Sequence, residues 1–157
     1  MVTFYQNPFY DSLFGNLNIV VPSKHLGYKQ NEKKRITEIF GTPSSRNFEN
    51  CLKQALSEDK DPKFPFKGKL FLAISLAMSK KDYETKDVDN MIKTLLDAMK
   101  GIVYEDDSQI CSVFVNKYVT DRTPGFMVGI RELSKKERGW YAPDLFSEKP
   151  WPGQDNL

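Results

Sequence analysis

The sequence predicts an α/β (α+β) fold, a single domain in which a mixed β-sheet of about four strands packs against two or more helices. Three observations carry that expectation. A chain of 157 residues is the length of one ordinary domain and can bury a core without staples. Lys69 to Met78 is a strand-length run that is apolar on both faces, as the centre of a sheet requires. Further on, Val88, Met91, Ile92, Leu95, Leu96, Met99 and Ile102 recur at helical spacing, and Gly101 stands where a helix stop belongs.

The other elements follow in order. Asn18 to Val21 reads as a short strand stopped by Pro22. A mixed basic stretch comes next, with Lys24, His25, Lys29, Lys33, Lys34 and Arg35. Phe48, Cys51, Leu52 and Leu56 fall at i, i+3, i+4 and i+8. That predicts a helix from about Ser45 to Leu56, with Ser44 or Ser45 as N-cap and Cys51 in the apolar stripe. Glu58 to Gly68 and Ser79 to Lys86 read as polar loops. Ile110 to Tyr118 reads as a well-buried strand, and Phe126 to Leu133 returns with Phe126, Val128 and Ile130 on one face. With the turn Thr123-Pro124-Gly125 between them, these two are expected to pair as an antiparallel hairpin. The domain is expected to span residues 1–138, followed by an aromatic and proline-rich tail, 139–157.

Composition excludes several classes. With 39% hydrophobic and 28% charged residues, disorder, collagen and a coiled-coil rod are ruled out. Cys51, Cys111 and His25 are too few soft ligands for a structural zinc site, and no CxxC occurs. Two cysteines do not make a secreted disulfide scaffold, so a reducing cytoplasm is expected. No apolar run approaches the ~20 residues of a membrane span, and Met1 to Gly15 has no basic residue for a secretory signal. There is no G-x-x-x-x-G-K phosphate loop and no G-x-S-x-G elbow, so neither a nucleotide cofactor nor a hydrolase triad is expected. The net charge of +2, taken alone, argues against a nucleic-acid partner.

The chemistry lies in the acids. Asp87 and Asp89 precede the second helix; Glu105, Asp106 and Asp107 follow it. In an extended approach to the helix Asp87 and Asp89 face the same way, whereas inside a helix an i, i+2 pair diverges. A helix from Asn90 to Lys100 is ~16 Å long, so its ends do not meet. The later pair joins the first only by returning along the strand from Ile110. Hard carboxylate oxygens suit Mg²⁺, and a metal so held activates water against a phosphodiester. The competing reading is structural: Asp89 as N-cap, Asp87 complementing the helix dipole, and the later acids in a solvated turn. Lys93 is likewise open, either an i, i+4 partner of Asp89 or a cation aimed at the scissile phosphate.

Asp87-Val88-Asp89-Asn90-Met91-Ile92-Lys93, then Asp97-Ala98-Met99, then Gly101-Ile102-Val103-Tyr104-Glu105-Asp106-Asp107-Ser108-Gln109-Ile110 resembles the signature of RusA-type Holliday junction resolvases: D-x-D-N-x-x-K, an Asp-Ala-Leu-like step, and a D-D-x-Q-[IV] turn into a strand. The resemblance implies a RusA-like fold and a Mg²⁺-dependent, structure-selective endodeoxyribonuclease, with Mn²⁺ as a substitute ion. It implies a homodimer that makes paired symmetrical nicks in branched DNA during recombination and repair; two scissile phosphates related by a two-fold ask for two sites so related. By the motif, Asp87, Asp89 and Asp107 would hold the metal, Asp106 would support them, and Lys93 would be the catalytic cation. Asn90 and Gln109 would position rather than ligate.

Phosphate contacts are expected from Lys80, Lys81 and Lys86, with Lys33, Lys34 and Arg35 as further candidates. Tyr83 and Tyr104 are candidate wedges at the crossover. The loop before the D-x-D is diluted by Asp82 and Glu84, where family members often carry a denser basic run. The tail, with Trp140, Tyr141, Phe146 and Trp151, exceeds the family core; its aromatics either fold back on the sheet or dimer seam, or stack unpaired bases. The alternative function is a non-catalytic branched-DNA-binding protein whose acids are structural. Charge then reads differently: five of the 21 acids lie in the proposed site, and the other 16 face 23 basic residues.

Overall fold

Why the chain folds as it does starts at β5, Lys69–Met78. Its alternate residues Leu70, Leu72, Ile74, Leu76 and Met78 are all buried in the core, and strands pair along both of its edges. The computed structural model describes residues 2–23, 26–31, 36–41 and 43–134. In chain order these form β1 (Thr3–Tyr5), β2 (Ser12–Asn16), β3 (Leu26–Asn31), β4 (Ile36–Gly41), α1 (Pro43–Glu58), β5, α2 (Lys80–Thr85), α3 (Val88–Met99), a 3-10 turn (Asp107–Gln109), β6 (Ile110–Val119) and β7 (Gly125–Leu133).

The main sheet has five strands in the order β1-β2-β7-β5-β6, and β3 and β4 form a separate antiparallel pair. Only β5 and β6 run parallel, because the crossover through α2 and α3 supplies the long connection that parallel strands need. One apolar core joins the sheet to α1 and α3. Phe48, Leu52 and Leu56 come from α1, Met91, Leu95, Ala98 and Met99 from α3, and Phe14, Phe126, Val128 and Ile130 from the strands. The expected α+β domain with a mixed sheet is therefore what forms, with one strand more than expected in its main sheet.

Several expectations fail, each for a physical reason. Ile110–Val119 and Gly125–Leu133 are not a hairpin: β7 lies antiparallel to β5 from Lys69↔Leu133 to Ala77↔Gly125, while β6 lies on the opposite edge of β5. As an edge strand, β6 leaves Val113, Phe114, Tyr118 and Val119 exposed, so it is not well buried. Asn18 to Val21 forms no strand; the strand comes earlier, as β2. Gly15 hides it from a propensity reading, yet a Cβ there would stand 2.3 Å from the Phe126 carbonyl oxygen, so the close pairing of β2 with β7 requires the glycine.

Helix α1 begins at Pro43, a favoured first helical residue, so Ser44 and Ser45 lie inside its first turn rather than capping it. Cys51 is exposed rather than part of the core stripe, which runs through Phe48, Leu52 and Leu56. Ser79 to Lys86 is mostly helix, α2, with Ser79 as its N-cap accepting from the Asp82 N–H. Lys24, His25, Lys33, Lys34, Arg35 and the 139–157 tail, with the boundary proposed for it, lie outside the described residues.

Candidate active site

Helix α3 starts at Val88 and has Asp87 as its N-cap, extended in backbone and making no side-chain cap bond. Asp89 is thus inside the first turn rather than capping it, and it does not share an extended approach with Asp87. Both acids are exposed. The contact that steadies Asp87 is long: Asn90 Nδ2 donates to its Oδ2 at 3.4 Å. Lys93 is exposed on the second turn and forms no ion pair with any described residue, so the i, i+4 bridge to Asp89 is not made.

The other end of α3 is built tightly. The chain leaves the helix through Gly101 at φ +80°, a conformation glycine adopts without steric cost. Gly101 N–H donates to the Tyr104 carbonyl at 2.7 Å, and the buried Tyr104 ring places its hydroxyl on the Leu96 carbonyl at 2.8 Å. Burial, with Asp107 and Asp97 nearby, drives that phenol well above its usual range. Tyr104 is therefore an anchor for the turn and not an exposed wedge.

Asp106 caps the 3-10 turn, its Oδ1 accepting from Ser108 N–H at 3.0 Å. Gln109 closes the capping box. Its Oε1 accepts from the N–H groups of Glu105 and Asp106 at 2.7 and 2.9 Å, and its Nε2 donates to the carbonyls of Phe66 and Gly68 at 2.9 and 3.0 Å. These four bonds explain the D-D-x-Q spacing: the glutamine must lie three residues past the capping aspartate to reach back to it. They also lock the acidic turn to the start of β5.

A lysine completes the turn. Lys100 Nζ lies 2.9 Å from Asp106 Oδ2 and 3.1 Å from Asp107 Oδ2. The Ser108 N–H, then Lys100, hold the Asp106 carboxyl well below the usual carboxylate range. The two aspartates in turn raise Lys100 above the ordinary lysine value. Lys67 pairs with Glu105 beside them. Sequence reasoning passed over Lys100; its signal was a cation at a helix C-terminus, where the dipole favours one.

Near the opposite end, Lys117 on β6 donates to the carbonyls of Tyr83 and Lys86 at 2.8 and 2.9 Å and stands over the Tyr83 ring at 4.8 Å. It fastens α2, and the residue before Asp87, to the far end of β6. Sequence reasoning missed it too, because a single charge on a strand carries no pattern. Lys86 is paired with Asp82 at 3.2 Å; Lys80 and Lys81 are exposed on α2 and unpaired among the described residues.

The two acidic groups therefore do not come together in one chain. Helix α3, 12 residues long, separates them by about 18 Å. The returning strand β6 does not close the gap, because Asp106 and Asp107 are pinned where it starts. Among the described residues no three His, Cys, Asp or Glu side chains cluster closely enough to hold a metal ion.

The fold is an α+β domain with exposed carboxylates and lysines at the two ends of one helix. A profile of the endodeoxyribonuclease RusA family matches residues 20–131, and the chain belongs to that family. The family's nucleases are metal-dependent and resolve Holliday junctions. Over 48 residues the chain is 42% identical to the uncharacterized protein YqaN of Bacillus subtilis (strain 168); the match covers 31% of this chain and 33% of that protein, so the chain spans about a third of that relative's length. No helix among the described residues is long and apolar enough to cross a membrane.

Proposed function

We propose that this chain is a Mg²⁺-dependent endodeoxyribonuclease that resolves Holliday junctions and related branched DNA by paired symmetrical nicks, acting as a homodimer in recombination and repair. The observation that carries this reading is the exit turn of α3: Asp106 and Asp107 aim their carboxylates at one cation on a backbone fixed by Gln109. Hard oxygen donors so arranged fit a divalent ion of the Mg²⁺ class, with Mn²⁺ as a substitute. Bound there, the ion supplies Lewis-acid polarisation of the phosphodiester and a more acidic attacking water.

The protein's residues do the rest. Asp87, Asp89 and Asp107 are the ligands, supported by Asp106. Lys93, left unpaired among the described residues, faces the charge that develops on the scissile phosphate. Lys80 and Lys81 grip flanking phosphates, with Lys86 and Tyr83 beside them. Asn90 steadies Asp87, and Gln109 sets the turn. Separation of the two acidic groups along α3 supports the dimer: a two-fold-related copy offers its Asp107 end to the Asp87 and Asp89 end of the first, completing two equivalent sites. The reading places the enzyme in the cytoplasm with its DNA.

The test is a fixed four-way junction labelled in turn on all four strands, with Mg²⁺ or EDTA. Paired symmetrical nicks that need Mg²⁺ are expected, and their absence would defeat the proposal. Subunit mixing tests the shared site. Asp89→Asn and Asp107→Asn each fail alone, but a mixed dimer contains one site with both substitutions and one with neither, so nicking returns on mixing. No recovery would mean that each chain builds its own site.

A further inference from the structure

Lys100 leaves a clamped backbone. Its N–H donates to the Leu96 carbonyl at 3.0 Å, the left-handed Gly101 follows it, and Tyr104, two residues after Gly101's neighbour Ile102, is anchored on the same Leu96 carbonyl. From that base the ammonium bridges two adjacent carboxylates, Asp106 Oδ2 and Asp107 Oδ2. Adjacent carboxylates repel and gain by turning apart; here they converge because a positive charge lies between them. One ammonium leaves a net charge of about −1 in the turn, which still attracts a divalent ion. Exposed ion pairs are weak, each shifting an equilibrium by at most about fivefold, so this bridge is easily exchanged.

We propose that Lys100 is a tethered stand-in for the divalent ion: it keeps Asp106 and Asp107 aimed at one point while the site is empty, and it must be displaced for the ion to bind. The inference rests on the reading of Asp107 as a ligand. Exchange of the ammonium for a divalent ion takes the turn from a net charge of about −1 to about 0, and the freed ammonium swings into solvent or onto a DNA phosphate. Lys100 is in this sense a positioning residue that sets how much divalent ion the enzyme requires.

The experiment measures Mn²⁺ binding to the full-length protein without DNA, by calorimetry and by the loss of free-Mn²⁺ spin resonance, for wild type, Lys100→Met and Lys100→Arg. With the competing charge gone, Lys100→Met binds Mn²⁺ about three- to tenfold more tightly, and the Mg²⁺ concentration for half-maximal junction cleavage falls by a similar factor. Lys100→Arg, which keeps the charge, stays near wild type. Unchanged or weaker Mn²⁺ binding by a folded Lys100→Met overturns the proposal, since a merely structural lysine would loosen the turn and weaken binding. Metal-free thermal melting checks folding, and Lys100→Gln replaces Lys100→Met if the latter does not fold. Equal Mn²⁺ binding by wild type and Asp107→Asn would defeat the ligand assignment and this proposal with it. Binding that depends on Asp107 and responds to Lys100, in a protein that never nicks a junction, would defeat only the nuclease reading.

Discussion

The two acidic ends of α3 are built in opposite ways. At the exit, two carboxylates, a lysine, a glutamine and two carbonyls of the β5 approach form one bonded unit. At the start, Asp87 and Asp89 stand exposed, with a 3.4 Å contact from Asn90 to hold the first of them. A bonded turn presents its donors before any ligand arrives, which lowers the ordering cost of binding. A loosely held pair adapts to whatever comes from elsewhere. The contrast suits the proposed site shared between two chains, in which one half would be preorganised and the other would close on it.

The largest expected effects test whether both halves belong to one site. Asp107→Asn and Asp89→Asn should each reduce junction cleavage by at least about a hundredfold, since even outer partners of a metal site cost 10- to 100-fold. Junction retention on a gel in EDTA should persist in both. If Asp89→Asn cuts like wild type, the loose end lies outside the chemistry and the comparison collapses. Gln109→Leu comes next. It strands the Phe66 and Gly68 carbonyls and the Glu105 and Asp106 N–H groups, costing about 1–3 kcal/mol in denaturant unfolding and about 10- to 100-fold in cleavage. Asn90→Ala, its counterpart at the loose end, should cost far less in stability. Equal losses would mean that the two ends are held alike.

The same contrast explains what the sequence made legible. The core stripe of α3 and the apolar run of β5 were readable because burial imposes a period, and the acids because the signature repeats them at fixed spacing. Gln109 is legible as a positioner, but two of its four bonds reach Phe66 and Gly68, more than 40 residues earlier in the chain, and no local pattern encodes that. The pairing of β7 with β5 was hidden for a related reason: a turn between two strands suggests a hairpin, whereas the parallel place beside β5 was already taken by β6 through the crossover. Cys51 misled because i+3 and i+4 positions both border an apolar face, and only the i+4 residue Leu52 points inward. The gap between the acidic groups follows from helix length; the pinning of the second group at the start of β6 does not.

Gly101→Ala probes the exit turn by strain alone. No atom lies within 4 Å of a Cβ built there, so the cost is that of the left-handed conformation, about 1 kcal/mol, read as a small drop in the unfolding midpoint. Gly101→Asn should cost less, because asparagine tolerates that region. A loss well above this from alanine would mean that the turn is coupled to the acids it presents.

The smallest effect is the pH dependence of the exit turn, and it separates the two forces holding Asp106. Its carboxyl is depressed first by the Ser108 N–H and then by Lys100, so its contribution to stability is complete above the ordinary carboxylate range near pH 4 and declines as pH falls below it. The raised Lys100 contributes in the opposite sense: its share is complete below the ordinary lysine range near pH 10 and is lost as pH rises beyond it. Between those limits the turn is indifferent to pH. In thermal melts from pH 7 down to pH 2, wild type should therefore lose more stability than Asp106→Asn, and Lys100→Met should fall between them. Because the groups are exposed, 1 M salt, with a Debye length of about 3 Å, should shrink the part owed to Lys100 and leave the part owed to the Ser108 hydrogen bond. If the whole difference vanishes in salt, the lysine alone holds the carboxylate, and the preorganisation ascribed to the turn belongs to its counter-ion.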